Sequence, residues 1–175
     1  MVTVAEEFEQ FVAARSPALL RTAYLLCGGD RGAAEDLLQD VLERMYPGWR
    51  RVRGNPEAYA RAALANAAAN RWRRKSRRPA EAPLTSAPPQ GIAGPEQSIV
   101  DKDMVVRALA ELPDRMRAAV VLRYFDDLSE ADTAAALGCG IGTVKSQTSR
   151  GLARLRELLA DSVTDDNHVT NGSTL

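Results

Sequence analysis

The chain is predicted to be all-α: two small helical domains joined by a flexible Pro/Gly-rich linker, the second containing a helix-turn-helix. Three observations predict this. Apolar residues recur at helical spacing wherever a period is clear, and Val and Ile never alternate with polar residues long enough to suggest a sheet. Pro79, Pro83, Pro88, Pro89 and Pro95 fall with Gly91 and Gly94 in a stretch poor in charge and in large apolar residues, the composition of a tether. Leu128 to Ser146 reads as a short small-residue helix, a glycine turn and a second helix. With 175 residues, 45% of them apolar, the chain has material for two small cores. The expected division is a first domain over 1–79, a linker over 80–98, a second domain over 99–160 and a disordered tail over 161–175.

In the first domain, Phe8, Phe11 and Val12 begin an amphipathic helix that Leu19, Leu20, Ala23 and Tyr24 continue. Pro17 should kink or restart it. Asp30 is placed to cap the next helix, and Asn55-Pro56 opens a third: a capping side chain followed by proline at the first helical position. Its alanine-rich body is expected to run as far as Arg78. In the second domain, helices are expected from about Val100 to Glu111, Pro113 to Phe125, Glu130 to Leu137 and Gly142 to Leu159.

Charge is balanced overall, 23 basic against 23 acidic residues, yet unevenly placed. Arg71, Arg73, Arg74, Lys75, Arg77 and Arg78 crowd into eight positions, and Lys145, Arg150, Arg154 and Arg156 recur with no acid between Thr143 and Arg156. Glu35, Asp36, Asp40 and Glu43 gather elsewhere. Such a chain can meet a polyanion with one face and a basic protein surface with another. Cys27 and Cys139 lie far apart, and His168 sits in a polar tail, so neither a disulfide framework nor zinc-ligand spacing is present. No P-loop or nucleophile constellation points to an enzyme, and no metal or cofactor is expected. The longest apolar runs, such as Ala118 to Leu122, are too short for a bilayer, and no basic segment followed by an apolar stretch opens the chain. The expected location is the cytoplasm, with no membrane partner.

In the helix-turn-helix, Ser129 can cap the first helix, and Gly138 stands where a tight turn needs positive φ. Taking about 100° per residue, Val144, Thr148, Leu152 and Leu155 share the inner face of the second helix. Ser146, Ser149, Arg150 and Ala153 point away from it, a surface of short side chains, hydroxyls and cations suited to a major groove.

Ala108 to Ser129, with Leu112-Pro113, Arg117 and Leu122-Arg123-Tyr124, resembles the lead-in to the promoter-reading domain of extracytoplasmic-function sigma factors. Gly142 to Ser146 with Ser149-Arg150 also fits that pattern. Upstream, Ala34 to Val41 resembles the family's core-binding helix, and Pro56 to Tyr59 with Asn66 and Trp72-Arg73-Arg74 resembles its promoter-melting helix. The resemblance spans about Phe8 to Leu159, and the wording around Tyr59 and Arg71 to Arg74 is most similar to the actinobacterial sigma-E group. Thr133 stands where the family usually has an aliphatic residue, Gln147 replaces a common arginine, and Tyr59 a frequent tryptophan.

The resemblance implies a sigma factor: a subunit that joins core RNA polymerase, through the β′ clamp and the β flap, to promoter DNA. An anti-sigma factor is a further candidate partner. Periodicity alone explains Asp36, Gln39, Asp40 and Glu43 as a solvated helix face; the resemblance implies that they meet the β′ coiled coil. It likewise implies minus-10 contacts by Trp49, Arg53, Tyr59, Asn66, Asn70, Arg71, Arg73, Arg74 and Arg77, aromatic and polar groups for unstacked bases beside cations for phosphates. For the minus-35 element it implies Gly142, Thr143, Lys145, Ser146, Gln147, Ser149 and Arg150. The twenty positions from Pro79 to Ser98, at about 3.1 Å each, reach roughly 60 Å. That distance covers about seventeen base pairs at ~3.4 Å each. The alternative is a free-standing helix-turn-helix regulator that binds operator DNA without polymerase.

Overall fold

The computed structural model describes residues 2–52, 54–77 and 97–169; the expected linker lies outside them apart from its last two positions. Every regular element among the described residues is helical. Helix α1 (Val4–Leu26) opens on a capping box, with Thr3 accepting from the Glu6 amide and Glu6 reaching back. It runs unbroken through Pro17, where the sequence predicts a kink. Ala13, Ala14 and Pro17 all face outward, so the carbonyl that loses its partner is open to water.

Asp30 caps α2 (Arg31–Met45) by accepting from the Ala33 amide at 2.9 Å. A 3₁₀ turn over Tyr46–Arg51 then leads to α3 (Pro56–Arg77), where Asn55 accepts from the amides of Glu57 and Ala58. Leu19, Ala23 and Leu26 of α1, Leu37 and Val41 of α2, and Leu64 of α3 fill the space between these three helices.

In the second half α4 (Gln97–Ala110) precedes α5 (Asp114–Val120), which widens into π-type turns over Val121–Phe125. Ser129 caps α6 (Glu130–Leu137), and Gly138 ends it at φ 62°, the left-handed conformation the tight turn demands. Helix α7 runs Ile141–Val169, ten residues beyond the expected end at Leu159. Residues 170–175 of the expected tail lie outside the described residues. Gly151 is required where α7 crosses α5: a Cβ there would stand 2.7 Å from Val120 Cγ2. Thr133 is fully buried, and its hydroxyl has no partner.

The two halves do not stand apart. A single cluster of buried apolar side chains continues from Leu19 and Leu64 to Leu109 and Leu122. Helix α3 lies against α6 and α5, and α1 against the π-type turns. Alanines dominate both α3 and α6 and allow this close approach.

Candidate nucleic-acid and protein interfaces

On α2, Asp36, Gln39 and Glu43 are exposed, and Gln39 donates to Glu43 at 2.9 Å. Asp40 turns toward α3, where Arg71 donates to it at 2.7 Å, with Arg44 at 3.9 Å. Beside the acidic face, Phe8, Val12, Leu20, Leu38, Leu42 and Tyr46 line an open groove of about 530 Å³, rimmed by Glu35 and Glu43. An apolar furrow with a carboxylate rim suits a basic amphipathic helix.

At about 100° per residue, α3 presents three faces. Ala60, Leu64 and Ala67 enter the first core, while Ala65, Ala69 and Trp72 turn toward the second half. The third face carries Tyr59 (53% exposed), Asn66, Asn70, Arg73 and Arg74 to the surface in one stripe. Asn70 accepts from Arg73. Arg71 lies off this stripe, donating to Asp40 and to the Ala33 carbonyl and so tying α2 to α3. Trp49 is half-buried, edge-on to Phe8 at 5.1 Å and against Phe11 at 4.9 Å. Arg53 lies outside the described residues; Arg77 is in the last turn of α3, its side chain likewise outside them.

On α7, Gly142, Thr143, Lys145, Ser149 and Arg150 are exposed. Ser146 donates to the Thr143 carbonyl at 3.0 Å, and Lys145 pairs with Glu130 of α6 at 3.6 Å. Gln147 is half-buried, facing the cleft between the halves. Two groups escape a reading of the sequence. Arg123, Tyr124 and Arg156 converge with Lys145 and Ser149 on a shallow polar cleft of about 310 Å³ beside α7, with Glu130 also in its lining. The acid-free run from Thr143 to Arg156 is the signal that points to it.

The second such group joins the halves. Thr22 donates to Asp126, Arg61 approaches the same carboxylate, and Arg117 sits 5.4 Å over the Trp72 ring. Burial pushes the Asp126 carboxyl above its ordinary value, against the opposing pull of the Thr22 hydroxyl and Arg61. At the end of α1, burial pushes the Cys27 thiol up to about 11, against the pull of Arg71 and Arg117.

Comparison with known proteins places this geometry. Sigma-70 region 2 matches residues 11–78, and sigma-70 region 4 matches residues 102–155. The RNA polymerase sigma-E factor of Streptomyces coelicolor is 38% identical over 155 residues, covering 87% of this chain and 86% of that protein. The ECF RNA polymerase sigma factor SigM of Mycobacterium tuberculosis is 37% identical over 128 residues, 72% of this chain and 64% of its own length. Among solved structures, the sigma factor RpoE in complex with the anti-sigma factor NepR from Bartonella quintana is similar with a TM-score of 0.69. It is 29% identical, and the match covers 89% of this chain and 98% of that one.

Proposed function

The chain belongs to the extracytoplasmic-function sigma factors of the sigma-70 family, and from that premise we propose a division of labour among its surfaces. It is a sigma factor, which binds core RNA polymerase and directs promoter recognition, DNA opening and transcription initiation. Residues 1–79 carry the polymerase and minus-10 contacts, and residues 99–160 the minus-35 contacts. Asp36, Gln39 and Glu43 meet the β′ clamp, charge against charge. The stripe of Tyr59, Asn66, Asn70, Arg73 and Arg74 receives the opened minus-10 strand; Thr143, Lys145, Ser149 and Arg150 face the minus-35 groove and its phosphates.

The observation that carries this reading is the α3 stripe: aromatic, amide and guanidinium groups exposed together on a helix whose other faces are packed. A free-standing regulator has no use for such a helix. We read the protein as a specificity subunit without catalysis of its own, acting in the cytoplasm; no described helix is long and apolar enough to cross a membrane. An anti-sigma protein is a further partner class, supported by the likeness to RpoE bound to NepR. The test is run-off transcription by core polymerase on a promoter library, with and without this chain. Promoter-specific transcripts should require it, and identical transcript sets would overturn the reading.

A further inference from the structure

The shallow cleft beside α7 draws its side chains from three elements. Arg123 and Tyr124 come from the π-type turns, Glu130 opens α6, and Lys145, Ser149 and Arg156 stand along α7. At about 100° per residue those last three share one side of the helix. Arg123 is fixed in place by donating to the Leu128 carbonyl. Arg156 is exposed and forms no ion pair among the described residues. Three cations thus share the cleft with a single carboxylate, since Glu130 is the only acid in its lining. Glu130 Oε2 lies 3.6 Å from Lys145 Nζ.

An acid in the first turn of a helix is ordinarily explained by the helix dipole. Here that end is already served: Ser129 accepts from the Asp132 amide at 3.0 Å, and Asp132 is a second acid in the same turn. The side chain of Glu130 is directed instead to a cation of α7. We propose that Glu130 stands in for a DNA phosphate in this cleft, an intramolecular competitor that restrains the affinity of α7 for DNA of any sequence. The inference rests on the sigma-factor reading above, in which Lys145 faces the phosphates.

A phosphate that approaches Lys145 meets the carboxylate as well. Breaking an exposed pair costs the fold little; what opposes binding is the negative charge that stays beside the phosphate. One unit charge a few ångströms away in water changes an affinity by about fivefold, and salt screens it. The restraint is blind to sequence, because it acts on the backbone and not on the base edges. Binding then depends more on the bases themselves and on the polymerase that carries the chain.

The test uses the full chain assembled with core polymerase, a labelled promoter fragment and a second fragment of scrambled sequence, over several salt concentrations. Glu130→Gln should tighten binding to both fragments about fivefold at low salt, and the gain should fade as salt rises. The slope of log affinity against log salt should steepen by at most about 0.9, the contribution of one phosphate contact. Glu130→Ala removes the same charge with a different side chain and should match it, so the result does not hang on how an amide sits at the start of α6. Glu111→Gln makes the same change in net charge at an exposed position outside the cleft, and should leave both affinities as they were. Unchanged affinity of the two Glu130 variants, or an equal gain from Glu111→Gln, would overturn the inference. So would a change confined to the promoter fragment, which would make Glu130 a reader of bases. If the unmodified chain gives core polymerase no preference for the promoter fragment, the sigma-factor reading fails, and the inference with it.

Discussion

Arg117 of α5 donates through Nε to the backbone carbonyl of Leu26, 2.9 Å away at the end of α1. That carbonyl belongs to a helix terminus with no basic residue in its own last turn, so the other half of the protein supplies the cation. The same guanidinium donates to the carbonyls of Ala110 and Leu112 and to Asp114, and is 6% exposed. Arg117→Met should destabilise the protein by about 3 kcal/mol, because several buried acceptors lose their donor at once. Arg117→Lys should recover only part of this, since an ammonium cannot span the same fork. Denaturant unfolding followed by tryptophan fluorescence measures both; a Met variant as stable as wild type would show that the bonds contribute nothing net.

Thr133 offers the opposite sign. Its hydroxyl is fully buried and unpartnered, and valine has nearly the same shape. Thr133→Val should therefore stabilise the protein by about 1 kcal/mol by removing an unsatisfied polar atom. A lower denaturation midpoint would mean that the hydroxyl has a partner in solution.

The contrast between these two residues shows what a sequence can disclose. Local chemistry is legible: Asp30, Asn55 and Ser129 cap the helices that the sequence assigns to them, and Gly138 takes the left-handed turn. Pro17 misleads because the cost of a helical proline depends on whether the orphaned carbonyl meets water, which is a property of the packed helix. The residues of the exposed stripe on α3 are named by the family resemblance, which also gives Arg71 to promoter DNA and Asp40 to the polymerase, whereas the structure pairs Arg71 and Asp40 with one another. Asp126 is less legible still. In the sequence it is one of two acids in a surface turn, and its partner Thr22 lies 104 positions away.

Stability should also depend on Asp126 through pH. Its folded-state carboxyl titrates above its ordinary value of 3.8, chiefly because burial disfavours the anion. The folded protein therefore holds this proton where the unfolded chain has released it. The resulting stabilisation is fully present below the ordinary value and is lost as pH rises through the raised one. Asp126→Asn has no such proton. Wild type should gain stability relative to Asp126→Asn as pH falls through that window. Parallel stability curves for the two proteins between about pH 7 and pH 4 would rule this out.

On the polymerase-facing side, Asp36 and Asp40 should behave differently. Asp36 is exposed, so Asp36→Lys should weaken association with core polymerase about tenfold, equivalent to ~1.4 kcal/mol, with no change in melting temperature. Asp40→Lys would set a cation against Arg71 and Arg44, and should lower the melting temperature as well. Unchanged co-purification of the Asp36 variant with core would remove that residue from the interface.

Lys145 and Arg150 test how the recognition helix is held. Lys145 is paired across the surface, 3.6 Å from Glu130, with its own side chain largely in water and that of Glu130 partly so, and such pairs contribute little to stability. Arg150 is exposed and forms no ion pair among the described residues. Both cations are thus available to phosphates at little cost. Phosphate contacts act through counterion release, so each alanine substitution should weaken minus-35 binding across all sequences. It should also reduce the slope of log affinity against log salt by about 0.9. Base-edge contacts behave otherwise, shifting sequence preference while leaving the slope intact. Fluorescence anisotropy on a short duplex, titrated over several salt concentrations with two different sequences, separates the cases. A changed sequence preference with the wild-type slope would move Lys145 or Arg150 from the phosphates to the bases.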